Sequence, residues 1–149
     1  MLSLTGKLQP RALLQTNFDE ESGQFSPDGH WLAYDSNESG KYEIYATPFP
    51  GPGGKRQISV GGGRNPIWRP DGKELFYASF DSRQLMAAEV AVRNGTLELG
   101  AVKRLFGGAS LDSYGVSADG QKFLVAEDDD TASSHPLTLL QNWIALLKK

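Results

Sequence analysis

The chain has 149 residues, enough for one domain that buries about two-thirds of its unfolded surface. A net charge of −3 with no basic stripe excludes the usual footprint of a nucleic-acid binder, and no run reaches the roughly 20 apolar residues of a membrane span. With no cysteine there is neither a disulfide scaffold nor a thiolate metal site, while 17 glycines and 8 prolines beside 39 % hydrophobic residues suit an all-β chain rich in turns.

In chain order, Met1 to Gly6 is too short and uncharged to serve as a signal peptide. Arg11-Ala12-Leu13-Leu14-Gln15 reads as an isolated strand with no turn before it, and Ser3-Leu4-Thr5 as the stub of another. Then comes Phe25-Ser26-Pro27-Asp28-Gly29, a strand end running into an Asp-Gly turn. It recurs as Trp68-Arg69-Pro70-Asp71-Gly72 and as Val116-Ser117-Ala118-Asp119-Gly120, with starts 43 and 48 residues apart. Proline presets φ at the second turn position, Asp accepts hydrogen bonds from the turn backbone, and Gly takes the left-handed conformation that follows. A turn signature at a period of roughly 40–50 residues, with strands on either side, marks propeller blades.

After the first turn, Trp31 to Tyr34 predicts a strand, Asp35 to Lys41 a polar turn, and Tyr42 to Thr47 a third strand. Pro48 to Gly54 is a loop and Arg56 to Ser59 a short fourth strand. The second unit repeats the scheme with Glu74 to Ala78, Leu85 to Val92 and Lys103 to Phe106, and Arg93-Asn94-Gly95-Thr96 adds a tight hairpin. The third unit offers Ser113 to Val116, Lys122 to Glu127 and Leu137 to Trp143, and no clear fourth strand follows. Leu139, Leu140, Trp143, Ile144 and Leu147 fall at helical spacing, but their place in the repeat predicts a strand through about residue 143 with at most a terminal helical turn. The expected fold is thus an all-β propeller of three four-stranded antiparallel blades, half of a six-bladed ring. Its blades are about 20–60, 63–107 and 112–149, with the strand at 11–15 completing the last.

The chain resembles the TolB-like, WD40-like (PD40) Asp-Gly-repeat six-bladed propellers, in particular those at the C-terminus of many bacterial serine/threonine kinases. The likeness rests on Leu13 to Thr16, Phe25 to Gly29 through Ala33-Tyr34, Asn37 to Gly40 and Tyr45 through Phe49-Pro50-Gly51. Gly61 to Gly63, Trp68 to Tyr77, Asn142-Trp143 and Leu147-Lys148 extend it over nearly the whole chain. Departures are Arg69 in place of the usual Ser, Ala118 in place of Pro, and the lack of any kinase module. The resemblance implies a protein- or peptide-binding module in a bacterial protein, periplasmic or extracytoplasmic. It also admits a propeller accessory to a hydrolase or a sugar-active enzyme.

Three blades do not close a ring, and open blade faces invite association. Two readings follow: a homodimer in which two chains complete six blades, with residues 11–15 of each finishing the last blade of the other, or a piece of a longer propeller whose start falls within a blade.

No catalytic constellation emerges. The two histidines, His30 and His135, are isolated, and Gly115 to Asp119 lacks the last glycine of a nucleophile elbow and coincides with a repeat turn. Neither Gly51 to Gly54 nor Gly61 to Gly63 satisfies the Gly-x-x-x-x-Gly-Lys-Ser/Thr pattern of a phosphate loop or leads into a helix, and Asp128-Asp129-Asp130 reads as a solvated acidic loop rather than a calcium site. No enzyme activity, metal or cofactor is therefore expected. Ligands of propellers meet the inner strands and the loops at one end of the central channel. That geometry selects Arg64 and Asn65, Asp112 and Tyr114 with Ser113, and Glu21 and Gln24 from the inner strands. Asn37, Glu38, Asp81 and Arg83 come from the loops between second and third strands. Arg64 among these acids suits a charged peptide or a sugar.

Overall fold

A computed structural model of the chain describes residues 12–51, 53–79, 83–107, 110–126 and 137–141. Every regular element among them is a β-strand, and the strands form three antiparallel sheets in chain order. The first sheet holds β1 (Glu20–Phe25), β2 (Trp31–Ser36), β3 (Glu43–Pro48) and β4 (Arg56–Gln57). The second holds β5 (Arg64–Trp68), β6 (Glu74–Ser79), β7 (Gln84–Arg93) and β8 (Thr96–Gly107). The third has β9 (Ser110–Val116), β10 (Lys122–Ala126) and β11 (Leu137–Gln141).

The Asp-Gly turns set these meanders locally. In the first, Asp28 Oδ1 accepts from the Ser26 hydroxyl and the His30 amide, and Ser26 Oγ accepts from the Trp31 amide at 2.9 Å. The third is its copy: Ser117 and the Gln121 amide donate to Asp119, and the Lys122 amide donates to Ser117 at 3.0 Å. Gly29, Gly72 and Gly120 take φ of 72°, 72° and 68°, a region open to glycine at no steric cost. In the middle turn Arg69 replaces the serine. Its guanidinium reaches Glu74 at 2.9 Å and Asp71 at 3.7 Å, so ion pairs stand where the hydroxyl bridge would be.

Alternation along each strand then sorts side chains to two faces. Trp31, Ala33, Ile44 and Ala46 of the first sheet pack on Trp68, Leu75, Tyr77, Ala88 and Val90 of the second. From the other face of the second sheet, Phe76, Ala78, Leu85, Ala87 and Leu105 meet Leu111, Phe123 and Val125 of the third. The middle sheet is thus buried on both faces, which is why β6 reads Leu-Phe-Tyr-Ala without a polar break. β1, β5 and β9 are the innermost strands, and this stack of sheets is a partial β-propeller.

Four details depart from the sequence expectation. Asp35 and Ser36 are buried members of β2 rather than the start of a polar turn, because they pair with Ile44 and Glu43. β4 stops at Gln57; Ile58 and Ser59 then turn inward, the Ile58 amide bonding to the Ile44 carbonyl at 2.8 Å. Asn94 and Gly95, with φ of 51° and 75°, directly join β7 to a single β8 that runs from Thr96 to Gly107, so the hairpin is the blade's own outer turn and not an addition. Residues 12–15 form no strand; Leu14 instead packs on Leu32, Tyr34 and Tyr45, on the face of the first sheet turned away from the second. The middle sheet separates that face from β11, the outer strand of the third sheet, so residues 12–15 do not complete the third sheet of their own chain. The strand at Leu137–Gln141 matches expectation, whereas Arg11 and residues 142–149 lie outside the described residues.

Candidate functional site

The inner strands converge through one repeated irregularity. The pairing of β1 with β2 slips between Glu21 and Gln24, and that of β5 with β6 slips between Arg64 and Ile67. These are bulges at equivalent places, 43 residues apart, and Ser22 and Asn65 sit in them with the same φ of 54°. β9 slips against β10 between Val125 and Ala126, near the same level. The bulges of β1 and β5 each turn a polar side chain toward the next inner strand.

Asn65 is the centre of the result. Its Oδ1 accepts from the Ser22 hydroxyl at 3.0 Å, and its Nδ2 donates to the carbonyls of Leu111 at 3.2 Å and Asp112 at 3.0 Å. The Tyr114 hydroxyl donates to the Asn65 carbonyl at 2.8 Å, and burial pushes that phenol well above its ordinary range. One side chain thereby ties all three inner strands. Beside it Ser22, Gln24, Ile67, Asp112, Ser113 and Tyr114 line a groove of about 150 Å³.

Arg64 stands next to this groove. Its guanidinium stacks on Tyr42 at 3.7 Å and pairs across the blades with Glu21 at 3.7 Å, while the Tyr42 hydroxyl donates to Glu21 at 3.3 Å. Desolvation and the Glu21 charge raise the Tyr42 phenol, keeping it a neutral donor.

The structure therefore gathers Arg64, Asn65, Asp112 and Tyr114 from the sequence candidates, together with Glu21, Gln24 and Ser113. It does not bring the loop residues to them. Asn37 exchanges hydrogen bonds with Asp19, from its Nδ2 to Asp19 Oδ2 at 2.9 Å and from the Asp19 amide to its Oδ1 at 3.1 Å. Glu38 is paired with Lys55, which also lies over Tyr45. The Arg83 backbone lies against Gly107 of its own sheet, and Asp81 lies outside the described residues. Ser22, Tyr42 and Asp35 are the members that sequence reasoning missed. Ser22 was findable, since it precedes Phe25 by the same three positions that separate Asn65 from Trp68.

Among the described residues no group of three or more His, Cys, Asp or Glu side chains is placed to hold a metal ion. No helix long and apolar enough to cross a membrane occurs among the described residues.

No protein-family model and no curated protein matches the chain. Solved structures do, and they include TolB proteins. The chain superimposes on TolB from Acinetobacter baumannii with a TM-score of 0.56 at 21 % identity, covering 83 % of this chain and 30 % of that one. A protein described as a TolB from Agrobacterium tumefaciens gives 0.59 at 22 %, covering 87 % and 48 %. One described as a 6-phosphogluconolactonase from Bacteroides uniformis gives 0.55 at 17 %, covering 86 % and 42 %. At these identities the likeness is one of fold, and the chain spans less than half the length of each of these structures.

Proposed function

We propose that this chain is a non-catalytic propeller module that binds an extended protein or peptide segment across the inner-strand groove. The observation that carries the reading is the Asn65 node. Neutral polar side chains (Ser22, Gln24, Asn65 and Ser113) line the groove together with Asp112, and the ion-paired Arg64 adjoins Asn65 on β5. Such a lining suits main-chain amides, with charges of both signs nearby to set direction. The likeness of the Asp-Gly repeats to propellers attached to bacterial kinases supports a docking role, and the resemblance to TolB supports an extracytoplasmic setting. Selection from a displayed peptide library followed by amide-shift mapping tests it. The expected outcome is binding that shifts Ser22, Asn65 and Ser113 and falls at least about ten-fold in Arg64→Glu. Binders that map only to the outer strands would overturn it.

The fold shared with a chain described as a 6-phosphogluconolactonase supports a second reading, a propeller of a hydrolase or sugar-active enzyme. A lactone hydrolysis assay separates the two, and no turnover is expected.

We further propose that the ring is completed by a second copy. Leu124 is 42 % exposed on the face of β10 opposite Phe123 and Val125, which already pack on the second sheet. In the assembly, residues 11–15 of each chain would finish the third blade of the other. Sedimentation at about 10 µM is expected to give twice 16.2 kDa. A stable monomer would instead favour the reading in which further blades of a longer chain close the ring.

A further inference from the structure

Asp35 has no counterpart in the other two sheets. Counting from the Asp-Gly turns, its equivalents are Ala78 and Ala126. It is fully buried on the face of β2 that meets the second sheet, opposite Glu21 of β1 and Ile44 of β3. Neither of its carboxyl oxygens accepts a hydrogen bond. An ionised carboxylate in that position forfeits its hydration, and this burial outweighs the nearby Ser22 hydroxyl and its own backbone amide, so its proton affinity is raised.

The charged groups around it offset this only in part. Arg64 of β5 favours the ionised form and Glu21 opposes it. Glu43, at the start of β3, is occupied by Ser59 and by the amides of Gly61 and Gly62 at 2.9 Å. The Tyr42 phenol is engaged with Glu21 and Arg64.

The group beside the carboxyl that can hydrogen-bond to it is the Ser22 hydroxyl. That hydroxyl has one proton, and it is given to Asn65 across the blade seam at 3.0 Å. We propose that Asp35 and Ser22 form a proton-directed switch in the seam between the first and second sheets. With Asp35 protonated, its O–H donates to Ser22 Oγ, and Ser22 donates onward to Asn65, so the two inner strands are joined. When Asp35 loses its proton to solvent, the carboxylate has no proton to give and becomes the stronger acceptor. Ser22 then rotates its O–H from Asn65 to Asp35, and this one of the ties between β1 and β5 is lost while Asn65 keeps its bonds to β9. The switch rests on the seam geometry and not on what the groove binds.

Sign and window follow from linkage. A carboxyl with a raised folded-state pKa binds more protons folded than unfolded, so its contribution to stability is present at low pH and lost as pH rises above the ordinary aspartate value toward the raised one. The experiment is a pH series on the whole chain, reading the Asp35 carboxyl carbon by NMR and amide hydrogen exchange along β1 and β5, corrected for intrinsic rates. Asp35 is expected to titrate above the ordinary aspartate range, and exchange at Ser22 and Asn65 to quicken about ten-fold through the same pH window, the effect of one lost hydrogen bond. In Asp35→Asn, whose amide donates to Ser22 at every pH, that pH dependence vanishes while protection stays high. In Ser22→Ala protection is low at every pH. Titration of Asp35 in the ordinary range, or an unchanged pH dependence of exchange in Asp35→Asn, would overturn the switch.

Discussion

The seam between the first and second sheets mixes apolar packing with buried polar groups, whereas the seam between the second and third is closed mainly by rings. In the first seam the Trp68 indole donates to the Gln24 carbonyl at 3.2 Å, Ser22 reaches Asn65, and Asp35 lies buried close by. In the second, Phe123 meets Phe76 edge to face at 5.0 Å and Phe106 at 5.7 Å. Both seams use the same register, with alternate residues of one strand facing each neighbour. Apart from the Asn65 and Tyr114 hydrogen bonds at its inner strands, the ring-filled seam gains from burial and shape, so it supplies stability. The polar seam fixes the relative placement of the inner strands and can respond to protonation, which suits the side that carries the groove.

This contrast is sharpened most by Phe123→Ala. Phe123 is fully buried among rings, and its truncation is expected to cost about 3–5 kcal/mol, read as a shift in the urea midpoint. Glu43→Ala comes next. The carboxylate caps the loop that leads from the first sheet into β5, accepting from the Gly61 and Gly62 amides, with Gly63 packed so closely on Ile44 that an added Cβ would lie 2.9 Å from it. Removing it leaves buried donors unmet, an expected cost of about 2–3 kcal/mol with faster exchange at those two amides. Trp68→Phe removes the indole donor and some volume, for about 1–2 kcal/mol by the same denaturation. A Trp68→Phe cost larger than that of Phe123→Ala would break the ranking of the two seams.

How much of this was legible follows the same division. Strand alternation and the Asp-Gly turns announce the sheets, because a two-residue period and a φ-restricted turn are written in consecutive residues. Leu75-Phe76-Tyr77-Ala78 even announces its burial on both faces. The polar seam is quieter. Ser22 lies in a bulge, where an extra residue moves the facing pattern by one, and Asp35 is followed by Ser, Asn and Gly, so composition assigns it to the turn. Only the repeat comparison with Ala78 and Ala126 marks it as out of place. The loop candidates Asn37 and Glu38 stand apart for a different reason: each finds a partner next to its own sheet, Asp19 and Lys55 respectively.

The smallest effect concerns the turns, and its sign is opposite to that of Asp35. The Ser26 hydroxyl, and after it the His30 amide, hold the Asp28 carboxyl below its ordinary value. The unfolded chain therefore takes up this proton first as pH falls. Stability from Asp28 is complete above the ordinary aspartate value and is lost as pH drops through the lowered one. Because the turn is exposed, solvent screening keeps the contribution small. Asp28→Asn is expected to lower the thermal midpoint slightly at neutral pH, to flatten its fall between about pH 5 and about pH 3, and to leave the midpoint below that window unchanged. Asp35→Asn should do the reverse, raising the midpoint above the ordinary aspartate range and leaving the acid limb alone. Two aspartates seven positions apart would then bound the stable range from opposite sides, and an acid limb unchanged in Asp28→Asn would show that the turn carboxylate is no part of that bound.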